Sequence, residues 1–350
     1  MKKRSFALAA IASLLLNIAG FATVDTHHSK QGKRQVTRLV SLLPASDGVA
    51  VFDTHRFLVD ALPKLLSANQ PMLSEVTSKL TEIENRTGID LRKFDQVAVG
   101  FAMVPKAENG VSVEPVVIAG GDINAGALIA TAKTASKGKY REEKIGEVPV
   151  YVFTIPETAK STSTQTKNSK IAKAIDQSVK GLATEVAAAS LDRNTLVLGS
   201  LVRVRETVEA RSHVSADITS LLSTKETAVM SFAFKTPAGT SKTLGLDNDE
   251  LGANIDSIQY LSGSLDVALA GTSLQMLART TKPEKALELK DTLESLQIIG
   301  RAIFGNSKRP DQQVYGRLLK NAKFDVRGSD VTLDVLIPQT DIDLLVAKIK

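Results

Sequence analysis

The sequence predicts an α+β fold: two diverged α+β sandwich-like repeats with mainly antiparallel sheets, preceded by a signal peptide. Three observations predict it. Hydrophobic spacing switches repeatedly between the period of a strand and that of a helix. A hairpin followed by a helix over 186–211 recurs at the end of the chain, from Lys323 onward. The chain opens with Lys2, Lys3 and Arg4, then an apolar run from Phe6 to Ala22 interrupted by Ser13 and Asn17, with small Gly20 and Ala22 placed for a signal peptidase.

The expected organisation is therefore a signal peptide over 1–22, a basic polar tail over 23–40, a first unit over 41–214 and a second over 215–350. The rival reading of the leader is a retained membrane anchor. Phe6–Val24 is near the lower limit of roughly 17–25 residues for a spanning helix, and its alanines and Gly-Phe-Ala exit favour cleavage. The lipid anchor of a bacterial lipoprotein requires a cysteine at the cleavage site, and the chain has none. After residue 24 no window is long and apolar enough to cross a bilayer.

Composition excludes several classes of function. The hydrophobic content of 43% and charged content of 23% are those of a globular chain. Without cysteine each core must hold by apolar burial, which is comfortable at about 150 residues per unit. The net charge of +6 suggests nucleic acid until the charges are placed. Seven basic residues (Lys2, Lys3, Arg4, Lys30, Lys33, Arg34, Arg38) against Asp25 alone lie within residues 1–38, so the body of the chain is formally neutral. A nucleic-acid binder needs a concentrated basic face. Aromatics at 4%, with no Trp, also argue against sugar clefts and single-strand grooves built on stacking platforms.

In the first unit, Pro44, Ser46, Asp47 and Gly48 turn the chain into a strand at Val49–Asp53. Phe57, Leu58, Ala61, Leu62, Leu65 and Leu66 then mark a helix capped by Asp53 or Thr54. Met72, Val76, Leu80 and Ile83 mark a second, opening near Asn69 and Pro71 and stopping at Gly88. Gln96–Val104 and Pro115–Ala119 are apolar runs of neighbouring strands. Gly120-Gly121 turns the chain, Asp122 is expected to cap a helix to about Ala135, and Val148–Phe153 is a strand. Glu157–Lys170, rich in Ser, Thr and Lys, is expected to be a mobile loop, and 171–182 a short helix. Val186–Leu191 and Leu196–Leu198 form a hairpin around Asp192-Arg193-Asn194, and a helix runs from Val202 to about Arg211.

The order recurs in the second unit. Thr227–Phe234 parallels the opening strand, and Asn254-Ile255-Asp256 with the strand after it echoes Gly88-Ile89-Asp90 and its strand. Ser273–Thr281 and the helix Pro283–Phe304 parallel Pro115–Ala119 and the helix that follows it. Lys323–Arg327, the turn Gly328-Ser329-Asp330, Val331–Ile337 and a helix from Thr340 repeat the closing hairpin and helix. Val331, Leu333, Val335 and Ile337 alternate with Thr332 and Asp334, Leu336 being the exception, so one sheet face is covered by helices and one is wetter.

The phrases Leu43-Pro44-Ala45-Ser46-Asp47-Gly48-Val49-Ala50 and Asn194-Thr195-Leu196-Val197-Leu198-Gly199-Ser200 resemble recurring phrases in uncharacterised exported bacterial proteins built from tandem α+β repeats. That resemblance implies a compartment and a fold, and it transfers no functional residue.

Motifs that carry chemistry fail on spacing. Gly120, Gly121 and Gly126 do not follow the Gly-x-Gly-x-x-Gly order that lets backbone amides reach a pyrophosphate, and Asp122 would set a negative charge where phosphate should lie. His55 and His213 are isolated. Asp247-Asn248-Asp249-Glu250 opens like a calcium loop, but Leu251 and Ile258 stand where oxygen ligands are needed. Ser136 and Lys139 have the Ser-x-x-Lys spacing, within a flexible run rather than at a buried helix start. Asn85-Arg86-Thr87 is a glycosylation sequon by letter within a helix end. No catalytic, cofactor-binding or metal-binding residue is assigned.

The leading expectation is a non-catalytic envelope or secreted protein that binds a protein, a lipid or a cell-surface component, with no nucleic acid and no cofactor. The alternatives are an exported enzyme, such as a hydrolase, with a site between the units, and a membrane-anchored subunit of an envelope assembly. A cleft of converging titratable groups favours the enzyme, and an apolar groove favours the binder.

Overall fold

The computed structural model describes residues 38–105, 111–154, 185–223, 225, 227–243, 250–268 and 270–347. The signal peptide, most of the basic tail, Glu157–Lys170, the short helix expected at 171–182 and Asp247–Asp249 lie outside the described residues. The chain is mixed α+β, with extensive antiparallel sheet, and forms two compact units. Of the described residues, one unit holds 38–55 and those of Glu75–Ser215, the other Arg56–Ser74 and those from Ala216 onward.

Strands of the first unit are β1 (Gly48–Asp53), β2 (Phe94–Pro105), β3 (Val111–Gly121), β4 (Tyr140–Ile145), β5 (Val148–Thr154), β6 (Glu185–Asp192) and β7 (Thr195–Gly199). They lie in the order β1-β2-β3-β7-β6-β5-β4. Each neighbouring pair is antiparallel, with Ala50 opposite Val99, Val97 opposite Ala119, Val117 opposite Leu198 and Ala189 opposite Val197. Val116, Ile118, Val150, Val197 and Val204 fill the core. Its helices are α1 (Gln70–Thr87), from Glu75 onward, α2 (Ala125–Ser136) and α3 (Leu201–Glu209).

Several local expectations need correction. The tail ends earlier than residue 40, because 38–41 is helical and Leu39 and Val40 are buried. Asp122 does not cap α2. Asn124 does, its side chain accepting from the Ala127 amide at 3.0 Å, because the helix opens only at Ala125 and the extended residue directly before it is Asn124. The segment carrying Phe57–Leu66 is not one α-helix: Phe57–Ala61 is wound as a π-helix and Leu62–Leu65 as an α-helix. Pro63 has no amide to give to the carbonyl of Val59, which disfavours a continuous ladder. Strand β4 was not expected from Tyr-Arg-Glu-Glu-Lys-Ile, whose charges suit an exposed sheet edge rather than an alternating core.

The second unit contains β8 (Ala228–Lys235), β9 (Ile258–Ala268), β10 (Gly271–Thr280), β11 (Lys323–Arg327) and β12 (Asp330–Pro338), all antiparallel, in the order β8-β9-β10-β12-β11. Each unit thus lays down its first three strands in chain order, then its last strand, then the one before it, and the first unit adds β5 and β4 outside these. Helices α4 (Glu250–Asp256), α5 (Pro283–Gly305), α6 (Pro310–Asn321) and α7 (Gln339–Val346) belong to the second unit. Ala286 and Leu289 of α5 pack on Ala278 and Val331, with Ile258, Leu261, Leu293 and Val326 around them.

Arg56–Ser74 packs with this second unit. The Asn69 side chain donates to the Val346 carbonyl at 3.0 Å, and Gln339 donates to the Lys64 carbonyl at 3.2 Å. Gly88 turns the chain at the end of α1 with φ of 71°, as the C-terminal cap of that helix requires. Among the described residues no helix is long and apolar enough to cross a membrane.

Candidate functional site

The site is built in the first unit, where α2 lies over β6 and β7. In the β6–β7 register Ala188 is opposite Leu198 and Ser190 opposite Leu196, so Ala188, Leu196 and Leu198 share one sheet face. Helix α2 presents Leu128, Ile129, Thr131, Ala132 and Ala135 to the same space, and the small residues at 132 and 135 leave it partly unfilled. Ile89 and Phe94 wall the groove on the side of α1 and β2. Its cavity volume is about 50 Å3.

At the N-terminal end of α2 the groove adjoins a wider polar cleft of about 560 Å3, with Ile89, Phe94 and Leu128 lining both. Asp90, Lys93, Asp122, Asn124, Arg193 and Asn194 line this end. Part of that polar set is structural. The Asn194 side chain donates to the carbonyls of Gly121 and Ile123 at 3.0 and 3.2 Å, and the Ala125 amide donates to the Arg193 carbonyl at 2.9 Å. The β6–β7 turn therefore fixes where α2 begins.

Asp90 accepts from the Arg92 amide at 3.0 Å and from Arg92 Nε at 2.7 Å. Partial burial works against its ionisation, and the hydrogen bonds and charge of Arg92 outweigh that, holding the carboxyl below its ordinary value. Arg92 is held in turn by Glu84. The side chains of Lys93, Asp122 and Arg193 are the charged groups left facing the cleft.

The residues singled out by motif do other work. A Cβ on Gly121 would stand 2.2 Å from the Lys93 carbonyl oxygen and 2.5 Å from the Asp95 nitrogen, so this glycine serves close backbone approach rather than a phosphate. Gly126 lies in the first turn of α2. Ser136 Oγ donates to the Lys133 carbonyl at 2.7 Å, and the Lys139 amide donates to the Ser136 carbonyl at 3.0 Å, which is the end of a helix and not a nucleophile with its base. His55 Nδ1 is 3.0 Å from the Arg92 carbonyl, and His213 is exposed. Thr87 Oγ1 donates to the Ile83 carbonyl within α1. Among the described residues no group of three His, Cys, Asp or Glu is placed to hold a metal ion.

The groove itself was missed in the sequence. Its one local signal is Thr131-Ala132 and Ala135 on α2, small residues on a face that faces a sheet, and nothing local says that the space they leave stays open.

No protein-family model matches the chain, and no curated protein matches it. Among solved structures it is similar to TP0453 in crystal form III, with 10% identity over 89% of this chain and 98% of that one and a TM-score of 0.42. Crystal form I of TP0453 gives 11% identity over 88% and 96%, with a TM-score of 0.39.

Proposed function

We propose that the protein is a non-catalytic exported binding protein whose first unit seats an apolar ligand segment in the groove beneath α2. The observation that carries this reading is that an apolar trough and a polar cleft lie side by side and share Ile89, Phe94 and Leu128 as walls. Sites for small ligands combine an apolar wall with a few polar groups that fix orientation. Lys93 and Arg193 stand at the mouth to meet a polar end group. Export rests on the basic and apolar opening of the chain, with cleavage after Ala22. Descent of the two units from one duplicated α+β unit is supported by the strand order they share.

The test is saturable binding of a fluorescent polyene fatty acid, used as a probe of apolar chain with polar end. Ala132→Phe places a ring in the trough and is expected to abolish the signal with the circular dichroism spectrum unchanged. Saturable binding that survives Ala132→Phe, or none in the parental chain, overturns the proposal.

A further inference from the structure

We infer that the polar cleft beside α2 takes a head group in which an ammonium stands between two anions, as in a serine phospholipid, an assignment that rests on the amphiphile reading above. The strand order places the charges that would read it. Strand β3 lies between β2 and β7, with Phe94 opposite Gly121 and Gly120 opposite Thr195. Lys93 immediately precedes β2, Asp122 immediately follows β3, and Arg193 stands just before β7, so all three meet at one end of the sheet. Neighbouring strands lie about 4.8 Å apart. The row across this sheet end is therefore cation, anion, cation, and all three residues are exposed and line the cleft.

The backbone holds the row in place. On one side of Asp122, Gly121 abuts the Lys93 carbonyl so closely that no Cβ fits between them. On the other, the Gly121 amide donates to the Asn194 carbonyl at 3.3 Å and the Ala125 amide to that of Arg193 at 2.9 Å. The neighbouring polar side chains are committed elsewhere: Asn124 to the Ala127 amide, Asn194 to the carbonyls of Gly121 and Ile123, and Asp90 to Arg92. The side chains of Lys93, Asp122 and Arg193 make no hydrogen bond or ion pair with any described residue. Opposite charges that stand on adjacent strands and leave each other unpaired are open to the charges of a ligand. The cleft volume of about 560 Å3 is that of a small-ligand site.

The row selects the head group. A fatty acid brings one anion and leaves Asp122 and one cation unmatched. An ethanolamine head leaves one cation unmatched, and a glycerol head sets no cation against Asp122, which discriminates against both. The phosphate, ammonium and carboxylate of a serine head match all three charges, and the Arg193 fork suits either anion.

Titration calorimetry with lauroyl lysophosphatidylserine, lysophosphatidylethanolamine and lysophosphatidylglycerol, below their micellar concentrations, compares the heads on one acyl chain. The serine lipid is expected to bind at least about tenfold tighter than the glycerol lipid, the effect of one charged hydrogen bond, with the ethanolamine lipid between them. Asp122→Asn is expected to keep the circular dichroism spectrum, weaken the serine lipid and strengthen the glycerol lipid, which a merely structural role would not do. Arg193→Gln and Lys93→Gln should each weaken the serine lipid at least about fivefold. Free O-phosphoserine separates head from chain. Binding weaker than the lysolipid's, with the same dependence on Asp122, supports a lipid head, whereas binding as tight as the lysolipid's keeps the head-group inference and overturns the trough reading. Equal affinity for the serine and glycerol lipids, or a preference that survives Asp122→Asn, overturns the inference and leaves the trough reading to its own polyene probe. Absence of binding by both serine compounds overturns it as well.

Discussion

Arg317 on α6 meets the buried carboxylate of Asp341 at the start of α7 through two nitrogens: Nε lies 2.9 Å from Oδ1 and 3.2 Å from Oδ2, and a terminal nitrogen 2.5 Å from Oδ1. Asp341 is 3% exposed, while Arg317 keeps part of its side chain in water. The hydrogen bond to Asp341 holds the guanidinium pKa above its ordinary value. The pair joins the two helices that close the second unit, and its members are not equivalent. Removing the arginine leaves a buried anion, whereas removing the aspartate charge leaves a cation that water can reach.

Arg317→Met is therefore expected to cost about 3 kcal/mol of stability and Asp341→Asn about 1.5 kcal/mol, the range for loss of a charged hydrogen-bond partner. The double variant should lose less than the sum of the two. Urea unfolding of the three variants measures the coupling, and additive losses would mean that the pair contributes nothing as a pair.

The capping of α2 separates two residues that look alike in the sequence. Asn124→Ala is expected to destabilise the first unit by about 0.5–2 kcal/mol. Asp122→Ala, at an exposed position outside the helix, should stay within about 0.5 kcal/mol of the parental chain. Thermal melts of both variants decide the matter, and a reversed ranking would return the cap to Asp122.

The two glycines that bracket this cap also differ. Gly121→Ala forces a methyl group into the β2 backbone and is expected to cost about 3 kcal/mol or more, as overpacking against atoms that cannot yield. Around Gly126 nothing lies closer than 3.5 Å, so Gly126→Ala should stabilise by about 0.5–1 kcal/mol through its helix propensity. The comparison is read from chemical denaturation midpoints.

Asp90 makes a prediction in pH. Its folded pKa lies below the ordinary value of 3.8, so the folded state favours the ionised form. The stabilisation is fully present above the unfolded pKa and is lost as pH falls through the lower folded value. Asp90→Asn should therefore be less stable than the parental chain near neutrality by about 1 kcal/mol, as expected of a part-exposed charged hydrogen bond. The difference should shrink as the pH drops below the ordinary carboxylate range. A difference that is constant with pH would show that the Arg92 contact does not act through charge.

How far the fold was legible depended on whether the deciding interactions were local. The helix ending at Gly88, the hairpin turned by Gly328-Ser329-Asp330 and the helix opening at Pro283 are written in neighbouring residues, through periodicity, positive φ and a proline at a helix start. Strand β4 and helix α6 were not legible in this way. One is a charged sheet edge. The other is a largely polar helix whose contact with α5 depends on a close approach of two glycines across the turn between the helices, Gly305 beside Gly316.

The sequence by itself determined where most of the strands and helices lie, because a few residues on either side set each of those periods and turns. It also determined that no cysteine chemistry is available and that the body of the chain carries no excess of positive charge. Only the tertiary structure decided that β7 pairs with β3, that Arg56–Ser74 packs with the second unit, that Asn124 rather than Asp122 opens α2, and that a trough remains open under Ala132 and Ala135. Each of these turns on which residues distant in sequence come into contact. Asn194 fixes the start of α2 from 71 residues away, and a local pattern carries no record of a neighbour supplied by another part of the chain.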